Sequence, residues 1–403
     1  MHLRLAVFLG MLSLGSAAQA QAPQQRARDL GIPLDGTPGR LDAITDVPGV
    51  AVGHQTLISG SGPLRIGAGP VRTGVTVVFP RGVNDLSSVF AGWFSLNGNG
   101  EMTGTAWLDD YALLIYPISI TNTNSVGTVR DAVIEWGRPR IPGVFNCCLP
   151  VVAETWDGDL NDIYGFHVTK ADLLAAIANA KGGAVPEGNV GGGTGMQCLG
   201  FKGGIGTASR QLPQSAGGFT VGVLVQCNFG LREQLRVAGV PVGREIKADK
   251  PCYDTRRRLR PDQAAMRCPS GTEATREHGS IIVIIGTDAP LLPHQLRRVA
   301  RHAALGIGRM GGVSGAGSGD LFLAFSTGKV DQPLDSAGVF PLRMLSDERI
   351  DPIYEATVQA TEEAILNAML AAKTMTGADD LRVTALPHDQ VRSILQKYGR
   401  LRN

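Results

Sequence analysis

Short runs rich in Val and Ile are interspersed along this chain with longer stretches in which apolar residues recur every three or four positions. The first pattern predicts strands and the second helices. Ile44 to Val52, broken by the turn at Pro48-Gly49, and Val75 to Phe79 read as β-branched strands. Trp107 to Ile120 is an apolar segment that ends in the polar run Thr121-Asn122-Thr123-Asn124, after which Val126 to Trp136 has helical spacing. Val144 to Ala153 is strand-like, and Lys170 to Ala180 is a helix stopped by Gly182-Gly183. Residues 188–210, GNVGGGTGMQCLGFKGGIGTASR, hold too many glycines for regular helix or strand, so they predict a shaped loop leading into a sheet edge. Phe219 to Gln226 is an apolar strand. From Arg244 to Gly279 the chain turns polar, with TRRRLRP at 255–261, and reads as a solvated linker.

The sharpest change follows directly. Ser280-Ile281-Ile282-Val283-Ile284-Ile285 is apolar on both faces, which predicts a strand buried between two layers. Leu292 to Gly306 reads as a helix, Leu321 to Ser326 as a strand, Asp351 to Met375 as a long helix, and the piece after Pro387 as a further helix. Strands and helices mix without regular alternation, which favours a layered α+β fold over a doubly wound parallel sheet.

Composition narrows the function. Of 403 residues 43% are apolar and 18% charged, which excludes intrinsic disorder. A net charge of +2 is too small for the basic footprint of a nucleic-acid or membrane-surface binder. Glycine contributes 53 residues, about twice average usage, so tight turns and close backbone approaches are expected. Residues 1–20 look like a secretory signal peptide: Arg4, an apolar run from Leu5 to Leu14, and the small-x-small site Ala18-Gln19-Ala20. The expectation is a periplasmic or secreted chain beginning at Gln21. Export permits disulfides. Of the six cysteines, Cys252 and Cys268 could close a short loop, whereas Cys198 and Cys227 sit in apolar surroundings that suggest free buried thiols. The seven histidines form no HExxH and no Cys/His cluster, and GNVGGGTG lacks both phosphate-loop and dinucleotide spacing, so neither metal nor cofactor is expected. That glycine run reads instead as a backbone wall of an active site.

Ser280 is a hydroxyl at the first position of a buried strand, preceded by Gly279 and a linker. This arrangement suits a chain that cuts itself between Gly279 and Ser280 by attack of the hydroxyl on the preceding carbonyl. A residue without Cβ keeps that carbonyl approachable. The freed serine then carries a nucleophile and an α-amine of pKa ~8. An ordinary glycine-serine turn before a strand is the other reading of these two residues.

The stretch from His278 to Arg309, HGSIIVIIGTDAPLLPHQLRRVARHAALGIGR, resembles the self-processing aminopeptidases of the DmpA class, which include β-aminopeptidases and L-aminopeptidase/D-amidase-esterases. So do RARDLGIPLDGTPGRLDAITDVPGVAVGHQTL near the start, ETWDGDLNDIYG at 154–165, residues 188–210, VLVQCNFG at 223–230 and SGAGSGDLFLAFST at 314–327. The resemblance implies a four-layer αββα sandwich related to the N-terminal-nucleophile hydrolases and close to ornithine acetyltransferase. It implies one domain made of an α-subunit part, 21–279, whose residues 247–279 form an exposed linker, and a β-subunit part, 280–403. The two chains would associate as a heterodimer, and heterodimers as a homo-oligomer.

By the same resemblance Ser280 is the nucleophile, Ser318 and Asp320 form a polar relay beside it, and Asn228 donates to the oxyanion. Asp320 stands where the family has Glu. Trp156 and Tyr164 of ETWDGDLNDIYG offer apolar walls for a substrate, and Glu154 offers an anchor for its ammonium, with Asp157, Asp159 and Asp162 as competitors. The expected activity is that of a cofactor-independent serine aminopeptidase releasing L-, D- or β-amino acids from short peptides, amides or esters. The alternatives are acyl transfer of the ornithine acetyltransferase type, and an inactive periplasmic binding protein on the same fold.

Overall fold

The computed structural model describes residues 25–141, 149–259, 263, 266–268, 279–328, 337–339 and 341–401. The expected signal peptide, the first part of the strand-like Val144 to Ala153 segment and His278 lie outside these. Among the described residues nine longer strands and one two-residue strand build the two main sheets: β1 (Ala51–Ser59), β2 (Val71–Phe79), β3 (Val89–Gly98), β4 (Ile118–Asn122), β5 (Val152–Thr155), β6 (Gly204–Gln211), β7 (Thr220–Asn228), β8 (Gly279–Thr287) and β9 (Ser318–Ser326). The first sheet has the order β1-β2-β4-β5, and the second has β3-β9-β8-β7-β6 with the short strand Leu113–Leu114 beyond β3. Strands β8 and β9 run parallel, and their outer neighbours β7 and β3 run antiparallel to them.

Period-2 patterning explains the layers. On β8, Ile282 and Ile284 join Val78, Ile118, Ile120 and Leu224 in a core between the two sheets. Ile281, Val283 and Ile285 point the other way, into a core with Leu296, Val299, Ala360 and Ala364. Those last residues belong to α3 (Pro293–Arg309) and α4 (Asp351–Ala371), which cover the outer face of the second sheet; α1 (Val126–Gly137) and α2 (Lys170–Ala178) cover the first. The fold is the expected αββα sandwich. Strand β8 is buried throughout because it carries both an inter-sheet and a helix-facing core.

Close packing of helix on sheet needs a particular residue. A Cβ on Gly206 of β6 would lie 2.0 Å from the Ala364 carbonyl oxygen of α4, so only glycine lets that helix approach.

Local expectations need correcting in four places. Ile44–Asp46 is a single helical turn, not strand, and pairing starts at Ala51. Helix α4 ends at Ala371 rather than Met375, which sits in the short strand Met375–Thr376. The described part of the linker is tied down: Cys252–Tyr253 pairs with Leu381–Arg382, Cys252 is fully buried, and Cys252 is bonded to Cys268. Cys198 and Cys227 are not free thiols either. They are bonded to each other, with Cα atoms 5.6 Å apart.

Candidate active site

Strand register brings four of the expected residues to one end of the second sheet. Asn228, the last residue of β7, pairs with Ser280 of β8. On the other side Gly279 pairs with Ser318, Ser280 with Gly319 and Ile281 with Asp320. A mixed sheet is what allows this: parallel β8 and β9 start at the same edge, where antiparallel β7 finishes. Gly279 is sterically obligatory, since a Cβ there would lie 2.1 Å from the Asn228 carbonyl oxygen.

All four side chains are buried, and their polar atoms are organised. The Ser318 hydroxyl donates to Asp320 Oδ1 at 2.7 Å, and the Ser314 hydroxyl donates to Oδ2. Burial pushes the Asp320 carboxyl above its ordinary pKa, against the two serine hydroxyls and the Ile281 N–H that favour its charge. Asn228 is held by both ends of its amide. Oδ1 accepts the Gln197 N–H at 2.7 Å, and Nδ2 donates to the Trp156 carbonyl at 2.9 Å. This fixes which end of the amide is the donor and leaves one N–H to spare.

A cavity of about 710 Å³ opens over this strand end, lined by Ser280, Gly279, Asn228, Glu154, Trp156 and Asp159 among others. Glu154 is 3% exposed. Its Oε1 accepts the Glu101 N–H at 2.9 Å and its Oε2 the Thr123 hydroxyl. Burial raises its pKa, partly countered by those two hydrogen bonds.

The competing aspartates separate by position. Asp162 accepts the Gly67 and Gly69 N–H groups at 2.8 and 3.2 Å and faces His167 at 2.8 Å, so it ties the β1–β2 connection. Asp157 is fully buried away from the cavity lining, its carboxyl pushed up to about 7 by burial. Asp159 does line the cavity and accepts from the Gln197 side chain at 2.7 Å.

Trp156 is 37% exposed and lines the cavity, which excludes a plain core role. Tyr164 does not line it. It packs edge-on against Trp156 with ring centroids 6.4 Å apart. The glycine run 188–195 also differs from expectation, because these glycines pack between the sheets; a Cβ on Gly192 would meet the Gln226 side chain at 2.2 Å. From that motif Gln197 and Gly200 reach the cavity.

Beneath them Lys202 is fully buried, its Nζ donating to the carbonyls of Met196 at 2.7 Å, Gly203 at 2.9 Å and Gly193 at 3.5 Å. Three acceptors match the three donors of an ammonium. Burial nonetheless pulls its pKa down to about 7, with Asp157 pulling the other way. Ser314, Gln197 and Lys202 were not singled out by sequence, although all three fall within the quoted motifs.

A hydroxyl at the start of a buried strand in an αββα sandwich, with a fixed amide donor beside it, defines the class of N-terminal-nucleophile-like hydrolases. Comparison with known proteins takes this further. The profile of Peptidase family S58 matches residues 42–383, and the chain belongs to that family. The beta-peptidyl aminopeptidase BapA of Sphingosinicella microcystinivorans is 52% identical over 397 residues, 98% of this chain and 97% of that protein. BapA of Sphingosinicella xenopeptidilytica is 46% identical over 392 residues, 96% and 95% of the two chains.

Among solved structures, the L-aminopeptidase D-Ala-esterase/amidase of Ochrobactrum anthropi, described as a serine aminopeptidase with a variant Ntn hydrolase fold, superposes with a TM-score of 0.81 at 43% identity, covering 94% of this chain and 99% of that one. A Burkholderia sp. beta-aminopeptidase gives 0.80 at 45%, covering 93% and 99%. The protein is therefore a serine-type aminopeptidase of family S58.

Proposed function

We propose that this chain is exported, cuts itself between Gly279 and Ser280, and then releases N-terminal residues, β-amino acids among them, from short peptides, amides or esters through an acyl-enzyme on Ser280. The observation that carries this reading is the meeting of Ser280, Asn228 and the Ser318–Asp320 pair at one strand end, under a cavity that also presents buried Glu154. The names of the two BapA relatives support counting β-amino acids among the released residues. The signal-like segment 1–20 and the bonded pairs Cys198–Cys227 and Cys252–Cys268 support export, since disulfides persist in oxidising compartments.

In processing, the Ser280 hydroxyl attacks the Gly279 carbonyl, the peptide nitrogen leaves as the Ser280 amine, and water opens the resulting ester to give the Gly279 carboxylate. Two chains remain, held together without a covalent link across the cut. In turnover Glu154 holds the substrate ammonium, and the Ser280 oxygen attacks the scissile carbonyl while its proton passes to the adjacent α-amine. The spare N–H of Asn228 donates to the oxyanion, and the proton returns to the leaving amine. Ser318 and Asp320 fix polar groups beside the nucleophile. Water then hydrolyses the acyl-enzyme.

Intact mass of the purified protein tests the first half, with two species ending at Gly279 and beginning at Ser280 as the expected result. A panel of L-, D- and β-aminoacyl anilides tests the second. Adding an acceptor amine separates hydrolysis from acyl transfer, and labelling of Ser280 by a serine-directed probe separates an enzyme from an inactive binding protein.

A further inference from the structure

The polar segment before Ser280 contributes to the cavity. Pro251, Tyr253 and Met266 line it together with Leu381, so one part of the cavity is apolar whereas Glu101, Glu154 and Asp159 are acidic. Three sets of contacts hold this segment in place. The Cys252–Cys268 bond closes it over a separation of 16 residues. Within that loop the Tyr253 N–H donates to the Met266 carbonyl at 2.8 Å and the Cys268 N–H to the Tyr253 carbonyl at 3.2 Å. Cys252–Tyr253 pairs with Leu381–Arg382, Asp254 donates its N–H to the Asp380 carbonyl at 3.0 Å, and Arg257 meets the Asp380 carboxylate at 3.0 Å.

We propose that Tyr253 and Met266 form a substrate-selecting wall, held by the Cys252–Cys268 disulfide, that receives an aliphatic or aromatic group of the substrate. The proposal rests on the aminopeptidase reading of the Ser280 site and adds a specificity element to it. Cleavage at Gly279 makes the disulfide matter more. The segment then becomes the end of a chain, with one covalent attachment upstream, and the disulfide together with the pairing to Leu381–Arg382 keeps both side chains at the cavity. Cys268 is half-buried while Cys198 and Cys227 are fully buried, so mild thiol reaches the Cys252–Cys268 bond first.

The test uses the processed protein and four substrates that combine a small or a phenyl-bearing β-aminoacyl group with an amide or an anilide leaving group. Tyr253→Ala and Met266→Ala should each lower the ratio of kcat/KM for bulky over small substrates by roughly tenfold, the size expected when a hydrophobic pocket loses part of its wall. The change should appear mainly in KM. Which pair of substrates responds shows whether the wall receives the acyl side chain or the leaving group.

Cys252→Ser/Cys268→Ser should move the ratio in the same direction, as should dithiothreitol without denaturant, with alkylation mapping showing Cys252 and Cys268 opened and Cys198 and Cys227 intact. A ratio that stays within twofold in both alanine variants overturns the wall, and so does an equal fall on all four substrates. Inactivity of the wild-type protein on all four overturns instead the aminopeptidase reading on which the wall rests.

Discussion

The strand-end cluster and the segment 251–268 face the same cavity but are held in place by different means. Ser280, Asn228, Ser318 and Asp320 are fixed by sheet register: each sits at or within two residues of a strand end and is at most 6% exposed. Tyr253 and Met266 are half-exposed and are fixed by a disulfide, a two-residue strand and surface ion pairs. A sheet edge tolerates no shift, because sliding a strand by one residue turns every side chain over. A cross-linked loop can be rebuilt while disturbing only the small cluster of Leu160, Met375, Leu381 and Val383 on which Tyr253 packs. The proposed reacting groups therefore lie where the geometry is least adjustable, and the proposed selecting groups where it is most adjustable.

Breaking the rigid side should have the larger effects. Ser280→Ala should give one uncut chain with no turnover, read by intact mass and anilide assay; cleavage at the same bond in this variant overturns self-processing through Ser280. Asn228→Ala should cost ~10²–10³ in kcat, the usual loss for one oxyanion donor. Because Asn228 also bridges Gln197 and Trp156, circular dichroism on the same sample must show an intact fold, and unchanged kcat in a folded variant removes Asn228 from the site.

Glu154 sharpens the comparison through pH. Its ionised form is needed to hold an ammonium, and burial raises its pKa, so the acidic limb of kcat/KM should lie above the ~4.3 of an ordinary glutamate. Glu154→Gln should abolish that limb and raise KM for free-amine substrates, and N-acetylated substrates should be poor for both proteins. Stability should move oppositely. A folded-state pKa above the unfolded one gives stability that is present below ~4.3 and lost as pH rises through the folded value. The Tm of Glu154→Gln relative to wild type should thus improve from pH 4 to pH 8, and a constant difference counts against the buried charge.

The smallest effect expected is at Lys202. Lys202→Met removes three hydrogen bonds to buried carbonyls, of which those of Met196 and Gly193 keep a backbone donor, and should cost about 1–3 kcal/mol in denaturant unfolding. Loosening of the Met196–Gln197 peptide that orients Asn228 should add a modest fall in kcat.

The parts of this fold that sequence reveals are those whose signal is local. Ile281 to Ile285 could only be a strand buried on both faces, and Pro293 with Leu296, Val299, Ala300 and Ala303 could only be an amphipathic helix. Strand β3 is not legible in the sequence because Gly92, Asn97 and Gly98 interrupt its apolar run, and its identity depends on pairing with β9, over 200 residues away. The cysteines show the same limit. Apolar neighbours told correctly that Cys198 and Cys227 are buried, but not that β7 and the glycine-rich loop bring them together. The linker's charges tell correctly that Arg256, Arg257 and Arg258 are exposed, but not that a partner strand near residue 381 buries Cys252. Tyr164 shares the family-like motif ETWDGDLNDIYG with Trp156, but the turn between them carries it outside the cavity lining.

The single parallel pair in the second sheet, β8 with β9 among the described residues, has a consequence for how such a protein can change over time. It gathers the starts of two neighbouring strands, and the finish of a third, at one rim, so the chemistry occupies terminal residues while the cores lie further along the same strands. Substitutions in the loop 251–268, which faces this rim across the cavity, touch little of what makes the sandwich fold. If Tyr253 and Met266 select the substrate as proposed, descendants of one sandwich can exchange one amino-acid preference for another in a few steps there, without first finding a new way to stand.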